Sequence, residues 1–303
     1  KKASVDGSVM VTYNDDAGSK FGHLCHFPAG VHAPGEMRKV YDWETKRYLG
    51  EIAEAPYTYN VVGNINEFQL CICETTFGGR EELADKRGII DYGSLIYITL
   101  QRAKNAREAI RTFYELTKEY GYCSEGESFS IADANEVWIL EMVGKGKQML
   151  DKKGNVDTKN WTISPVWVAR RIPDGYVSGH ANQARITTFP MEKASKTSIS
   201  SKHLNKIFNK DIDVVYAEDV VSFARMKGLY KGTDENFSFS DTYNLTHRLI
   251  SEFVFQLDNL LPSGKTAVEV TVHLESQRQL VQQFRLIIDR HLVIKSEFLS
   301  AGV

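Results

Sequence analysis

Hydrophobic and polar positions along the N-terminal half of the chain follow the pattern of strands and turns. VMVTYND (9–15) is β-branched and alternating, which predicts a strand. YTYNVV (57–62) is followed by GNIN (63–66) and then by FQLCICETTF (68–77), the pattern of two strands joined by a Gly/Asn turn. A clearer hairpin is predicted from SFSIA (128–132) and EVWILEMV (136–143), which flank Asp133, Ala134 and Asn135, residue types that tolerate tight turns.

Between these hairpins the period lengthens to that of a helix. Asn105 has the character of an N-cap, with Glu108 three residues on. Ala106, Ala109, Ile110, Phe113 and Leu116 form one apolar stripe, and Gly121 supplies a stop. Residues 94–100 predict an earlier, more buried helix. Beyond 143 comes a polar loop, KGKQMLDKKGNVDTKN, and then an expected strand pair, SPVWVARRI and GYVSGHA. Residues 191–213 read as irregular or briefly helical, and a helix is expected around 217–227. The tail is amphipathic over 248–261 and breaks at Pro262, Ser263 and Gly264. Residues 266–274 are undecided from periodicity, because alternating Val268, Val270, Val272 and Leu274 are followed by helically spaced Leu280, Val281, Phe284, Ile287 and Ile288. Hairpins with helices inserted between them predict an α+β layered architecture rather than a parallel doubly wound sheet.

Composition narrows the function classes. The 303 residues are 42% hydrophobic and 25% charged, a globular profile with room for a sizeable core. A net charge of -2 implies no basic face, so nucleic acid and anionic membranes are poor partners. The longest apolar run, 88–100, is interrupted and shorter than the roughly 20 residues a membrane helix needs. KKASVDGS carries no apolar signal core, so a targeting segment is expected to be removed or absent.

Self-contained catalytic motifs are not found: the chain has no HExxH, P-loop, GxGxxG or GxSxG. His23, His26 and His32 fit no standard ligand spacing, so no metal is expected. Cys123, in GYCSEGES, lacks a papain-like setting. Cys71 and Cys73 leave a strand on the same face and read as inert core thiols. Of Asp15 and Asp16 at most one faces the core; the pair is either a solvated turn or contains a buried carboxylate that orients a catalytic group. Asn182, in HANQARI, is either a turn residue or an amide aimed at a developing oxyanion.

Several blocks resemble, in order, the dipeptidase A and secernin family of cysteine N-terminal-nucleophile hydrolases. They are KKASVDGSVMVTYNDDAG (1–18), APGEMRKVYDW (33–43), YNVVGNINEFQLCICETTFGGREEL (59–83), GIIDYGSLIYITLQRAKNAREAI (88–110), EYGYCSEGESFSIADANEVWILEMVGKG (119–146), ANQARITTFP (181–190), DVVSFARMKGLYKG (219–232) and FSFSDTY (237–243). The resemblance implies a four-layer αββα sandwich of two antiparallel sheets flanked by helices. It implies an N-terminal-nucleophile domain over 1–243 and a helical C-terminal segment over 244–303, with the family's middle region after Tyr243 expected to be either deleted in a shortened variant or outside these 303 residues. The nucleophile it implies is a Cys upstream of residue 1. Asp16 falls on the carboxylate that orients the nucleophile and its amine, Asn182 on the oxyanion-hole amide, and Thr76 where a backbone N–H completes the hole. Glu74, Glu125 and Glu127 are candidate partners of a substrate amine. Tyr13 stands where bile-salt hydrolases and penicillin acylases carry Arg, which argues against their chemistry. The expected partner is a short peptide, with no cofactor, and a homo-oligomer is compatible with the sequence. Relatives occur in the bacterial cytoplasm and beyond the inner membrane. Two other readings stay open: an amide acylase on the same scaffold, and a non-catalytic relative acting as a structural or interaction protein.

Overall fold

A computed structural model of the chain describes residues 2–13, 24–150, 152–157, 161–244, 254–256, 267–275 and 281–289. Short strands come first: β1 (His26–Phe27), β2 (Gly30–Val31), β3 (Met37–Tyr41), β4 (Tyr48–Ala53), β5 (Tyr57–Thr58), β6 (Val61–Val62), β7 (Ile65–Asn66) and the longer β8 (Cys71–Gly78). Helices α1 (Tyr92–Leu100) and α2 (Ala106–Tyr120) lead into β9 (Gly126–Ala132) and β10 (Val137–Val143). Next are β11 (Val166–Ile172), β12 (Tyr176–Ser178), β13 (Ser198–Ser200), β14 (Val214–Tyr216), α3 (Val220–Met226) and α4 (Phe239–Tyr243). Three strands complete the series: β15 (Val254–Gln256), β16 (Ala267–Glu275) and β17 (Val281–Asp289).

The chain divides into two compact units. The larger, Met10–Arg171 with His180–Thr246, contains a nine-stranded sheet in the order β1-β6-β7-β8-β9-β10-β11-β14-β13. Pairing is antiparallel from β1 through β10 and between β11 and β14, and parallel between β14 and β13 at the far edge. The smaller unit pairs β12 with β15 and β16 with β17. The protein is thus of mixed α/β class, with one large sheet and few helices among the described residues.

Local chemistry explains the best-defined part. Asp133 Oδ1 accepts from the N–H groups of Asn135 (2.7 Å) and Glu136 (3.0 Å), which closes the β9–β10 turn. Its Oδ2 accepts from Ala106 N–H at 2.9 Å, so the same carboxylate satisfies a donor at the start of α2. Asn105 caps that helix by accepting from Glu108 N–H, and Glu108 in turn accepts from Lys104 N–H. At the other end Gly121 takes φ +72°, where a Cβ would also stand 2.5 Å from Ile163. The predicted stripe of α2 is buried, and Phe113 meets Phe129 of β9 edge to face at 4.9 Å.

Arg107 ties three segments together. It makes a bidentate pair with Glu136 (2.6 and 2.8 Å), donates to the carbonyls of Ile207 and Asn209, and lies over the Trp138 ring. Removing one partner of a buried, hydrogen-bonded ion pair costs about 3–5 kcal/mol. Arg107→Ala should therefore lower unfolding stability by about that amount, read from the urea midpoint. Arg107→Lys should recover little, because an ammonium cannot reproduce the planar fork.

The structure departs from the periodicity in several places. Residues 9–13 form no regular strand, and 14–15 lie outside the described residues. The 57–62 run splits: Tyr57 and Thr58 pair with β2, while Val61 and Val62 turn back on Ile65 and Asn66. The predicted turn therefore supplies a strand of its own, which pairs with β8. β12 does not pair with β11; its partner is β15, inside the stretch read as an amphipathic helix. Residues 191–213 contain β13 and a short 3₁₀ stretch. In the tail, β16 and β17 form a ladder from Ala267↔Asp289 to Glu275↔Val281. This corrects the helix implied by the resemblance, and the alternation at 268–274 is the pattern that prevails there.

Candidate active site

The site is organised by β8, whose side chains alternate between the two faces of the sheet. Register with β9 sets Glu74 opposite Phe129, Thr75 opposite Ser128 and Thr76 opposite Glu127. Glu74, Thr76 and Glu127 therefore share one face, and Cys71, Cys73 and Thr75 share the other. The ladder shifts between Thr76 and Gly78, and this bulge ends the strand. Gly126, paired with Gly78, has no room for a side chain, since a Cβ there would lie 2.3 Å from the Phe77 ring.

On the first face the Tyr13 hydroxyl donates to Glu74 Oε1 at 2.8 Å, and the Thr76 hydroxyl donates to Glu127 Oε2 at 3.0 Å. Glu127 is buried, and its Oε1 has no hydrogen-bond partner among the described residues. Burial first, then the neighbouring Glu74 carboxylate, hold Glu127 well above the usual carboxylate range, and Glu125 adds to the effect. Glu125 is exposed beside the strand end, its Oε2 3.7 Å from where a Gly78 Cβ would be. Tyr122 is fully buried and held in its neutral form by burial and by Glu127.

On the second face lies the 180–186 segment. The Asn182 backbone N–H donates to Thr75 Oγ1 at 3.0 Å, and its side-chain Nδ2 donates to the Thr76 carbonyl at 2.8 Å. Asn182 has φ +50°, a left-handed conformation that Asn tolerates better than most residues. Three further hydrogen bonds seat the segment. His180 Nε2 meets Ser130 Oγ at 2.8 Å, and Glu141 accepts from the N–H groups of Arg185 and Ile186. Burial pushes the His180 pKa down to about 4, so the ring is neutral, and pushes Glu141 up to about 7.

The structure thus brings Tyr13, Glu74, Thr76, Glu125 and Glu127 together and sets Asn182 across the strand from them. Thr76 joins the two sides, with its hydroxyl on Glu127 and its carbonyl on Asn182. Asp16 and Asp15 lie outside the described residues, as does His23. His26 pairs with Asn60, and His32 with Glu36 and Thr58. Among the described residues no group of three His, Cys, Asp or Glu could hold a metal ion, and no helix is long and apolar enough to cross a membrane. Sequence reading missed Glu141, His180 and Tyr122. Glu141 had a signal, since it is a lone carboxylate inside the otherwise apolar VWILEMV.

A partly exposed strand end that gathers carboxylates, hydroxyls and an oriented amide can hold a small polar ligand through several directed contacts, as hydrolase sites do. The chain belongs to peptidase family C69, whose sequence model matches residues 25–253. It is 25% identical to a probable dipeptidase of Salmonella dublin, over 88% of this chain and 59% of that protein. It is 24% identical to a probable dipeptidase A of Streptococcus pyogenes serotype M3, over 72% and 46%, and 25% identical to a dipeptidase of Bifidobacterium longum, over 64% and 38%. The chain spans about half the length of the curated relatives it matches.

Proposed function

We propose that this chain is the hydrolase portion of a cysteine-type dipeptidase with a four-layer N-terminal-nucleophile fold. Its nucleophile is a Cys that lies N-terminal to Lys1. Membership in a peptidase family and the names of its relatives support the reaction class. The observation that supports the site best is the junction at Thr76, where the Asn182 amide and the carboxylate cluster meet at one strand end.

The chemistry follows from these groups. The thiolate attacks the peptide carbonyl, and the chain's own α-amine, with an ordinary pKa near 7.7–8.0, takes the thiol proton and returns it to the leaving amine. Asp16 orients that amine. Asn182 and the Thr76 backbone N–H receive the developing oxyanion. Water then cleaves the thioester and releases the N-terminal amino acid. Glu74, fixed by Tyr13, supplies the counter-charge for the free ammonium of the substrate, with Glu125 at the exposed rim. Glu127, whose carboxyl burial holds above the usual range, positions Thr76 by accepting from its hydroxyl.

The test uses the protein with its preceding residues intact. Ala–Ala and Leu–Leu should be cleaved, and alkylation of the terminal Cys should abolish cleavage. Dipeptides left intact by a Cys-initiated protein would favour the acylase reading. A mature N-terminus lacking Cys would favour the non-catalytic one. Glu74→Gln should raise KM for dipeptides about 10-fold or more, the scale of a lost charged hydrogen bond, with a smaller change in kcat. An unchanged KM would remove Glu74 from amine recognition.

A further inference from the structure

Cys71 and Cys73 are read from the sequence as inert core thiols, but their spacing in β8 gives them a different character. The two Sγ atoms are 3.8 Å apart on one face of the strand. Cys73 is buried, and Cys71 is only part-buried, so the pair is reachable from one side. Among the described residues, each sulfur's hydrogen-bond partner is the other.

Two outcomes are open to a close thiol pair, and distance decides between them. A disulfide brings its Cβ atoms to about 3.5–4.5 Å. Strand residues two apart have Cα atoms about 6.6 Å apart with nearly parallel Cα–Cβ bonds, so a disulfide here would require β8 to buckle. Cys71 and Cys73 are also held by ladder pairing to Ala132 and Ser130, which resists that buckling. A single ion between the sulfurs needs no such movement. Two thiolates bound tetrahedrally at about 2.3 Å from one zinc-like ion stand about 3.8 Å apart.

The geometry points to Cys71 and Cys73 as a two-thiolate site for one soft divalent cation of the zinc and cadmium class. Binding forms two metal–sulfur bonds and releases the thiol protons to solvent, with no change of oxidation state. Because among the described residues no third ligating side chain stands close enough to close a cage, water or small anions complete the coordination, and the ion is exchangeable. Soft sulfur ligands favour these ions over magnesium or calcium.

The probe is cadmium chloride added to the fully reduced 303-residue chain, followed through the near-ultraviolet thiolate-to-cadmium absorption band. One equivalent should saturate a band of two-thiolate intensity. Cys71→Ser and Cys73→Ser should each weaken binding at least 10-fold and about halve the band, whereas Cys25→Ser and Cys123→Ser should leave both unchanged. A companion measurement needs no substitution: one equivalent of cadmium should protect Cys71 and Cys73, but not Cys25 or Cys123, from alkylation mapped by mass spectrometry. Magnesium at the same concentration should protect neither. Cadmium bound equally well by the Cys71→Ser, Cys73→Ser double variant would overturn the proposal. So would ready formation of a Cys71–Cys73 disulfide with diamide, since it would refute the spacing argument.

Discussion

Replacing Asn182 with alanine is expected to lower kcat for a dipeptide by about 10²–10³-fold, the usual effect of removing one oxyanion donor. The amide carries two N–H bonds. One is committed to the Thr76 carbonyl at 2.8 Å, which fixes the plane of the group, and the other has no partner among the described residues. An amide held in this way needs no reorganisation when charge develops on the substrate oxygen. The backbone complicates the alanine variant, because φ +50° disfavours Ala by about 1 kcal/mol. Asn182→Gly separates the two effects, since glycine accepts that conformation without strain but supplies no amide. Comparable losses of kcat in both variants, with KM little changed, would assign the effect to the donor. A glycine variant with wild-type turnover would reduce Asn182 to a turn residue, the bland alternative that the sequence leaves open.

The second large effect is on stability and concerns Glu141. This carboxyl is fully buried in β10, and burial pushes its pKa up to about 7 although two backbone N–H groups, Arg185 and Ser128 pull the other way. Its ordinary value is 4.5, so between these limits the folded chain binds a proton that the unfolded chain has released. Stability must then fall as pH rises through this window. The contribution is complete below pH 4.5 and is lost as pH passes the folded value near 7. At 1.36 kcal/mol per unit the difference is about 3 kcal/mol. Urea unfolding from pH 4.5 to pH 8 should show this decline, and Glu141→Gln, neutral throughout, should remove it. Parallel curves for the two proteins would show that the carboxyl is not protonated in the fold.

How much of this was legible depended on how local each signal is. The β9–β10 hairpin and α2 were readable because Asp133 and Asn105 act on backbone groups within three residues. The partner of β12 was not, because Tyr176–Ser178 pairs with a segment far along the chain and nothing in GYVSGHA names it. The candidate site was legible only through resemblance. Glu74, Thr76 and Glu127 share a face through the β8–β9 register that sets Thr76 opposite Glu127, and no short-range pattern encodes that register. Glu141 was overlooked because a single acid within an apolar strand looks like broken alternation until its donors, the Arg185 and Ile186 amides, arrive from another segment.

The alternation of β8 also constrains how this protein can change. Exchanging one side chain for another alters a single function on a single surface. Gaining or losing one residue between Cys73 and Thr76 would transpose the sulfur-bearing and acid-bearing surfaces beyond that point, because strand periodicity is two. Divergence along β8 is therefore confined to substitutions, and its length is as much a part of the site as any residue it presents.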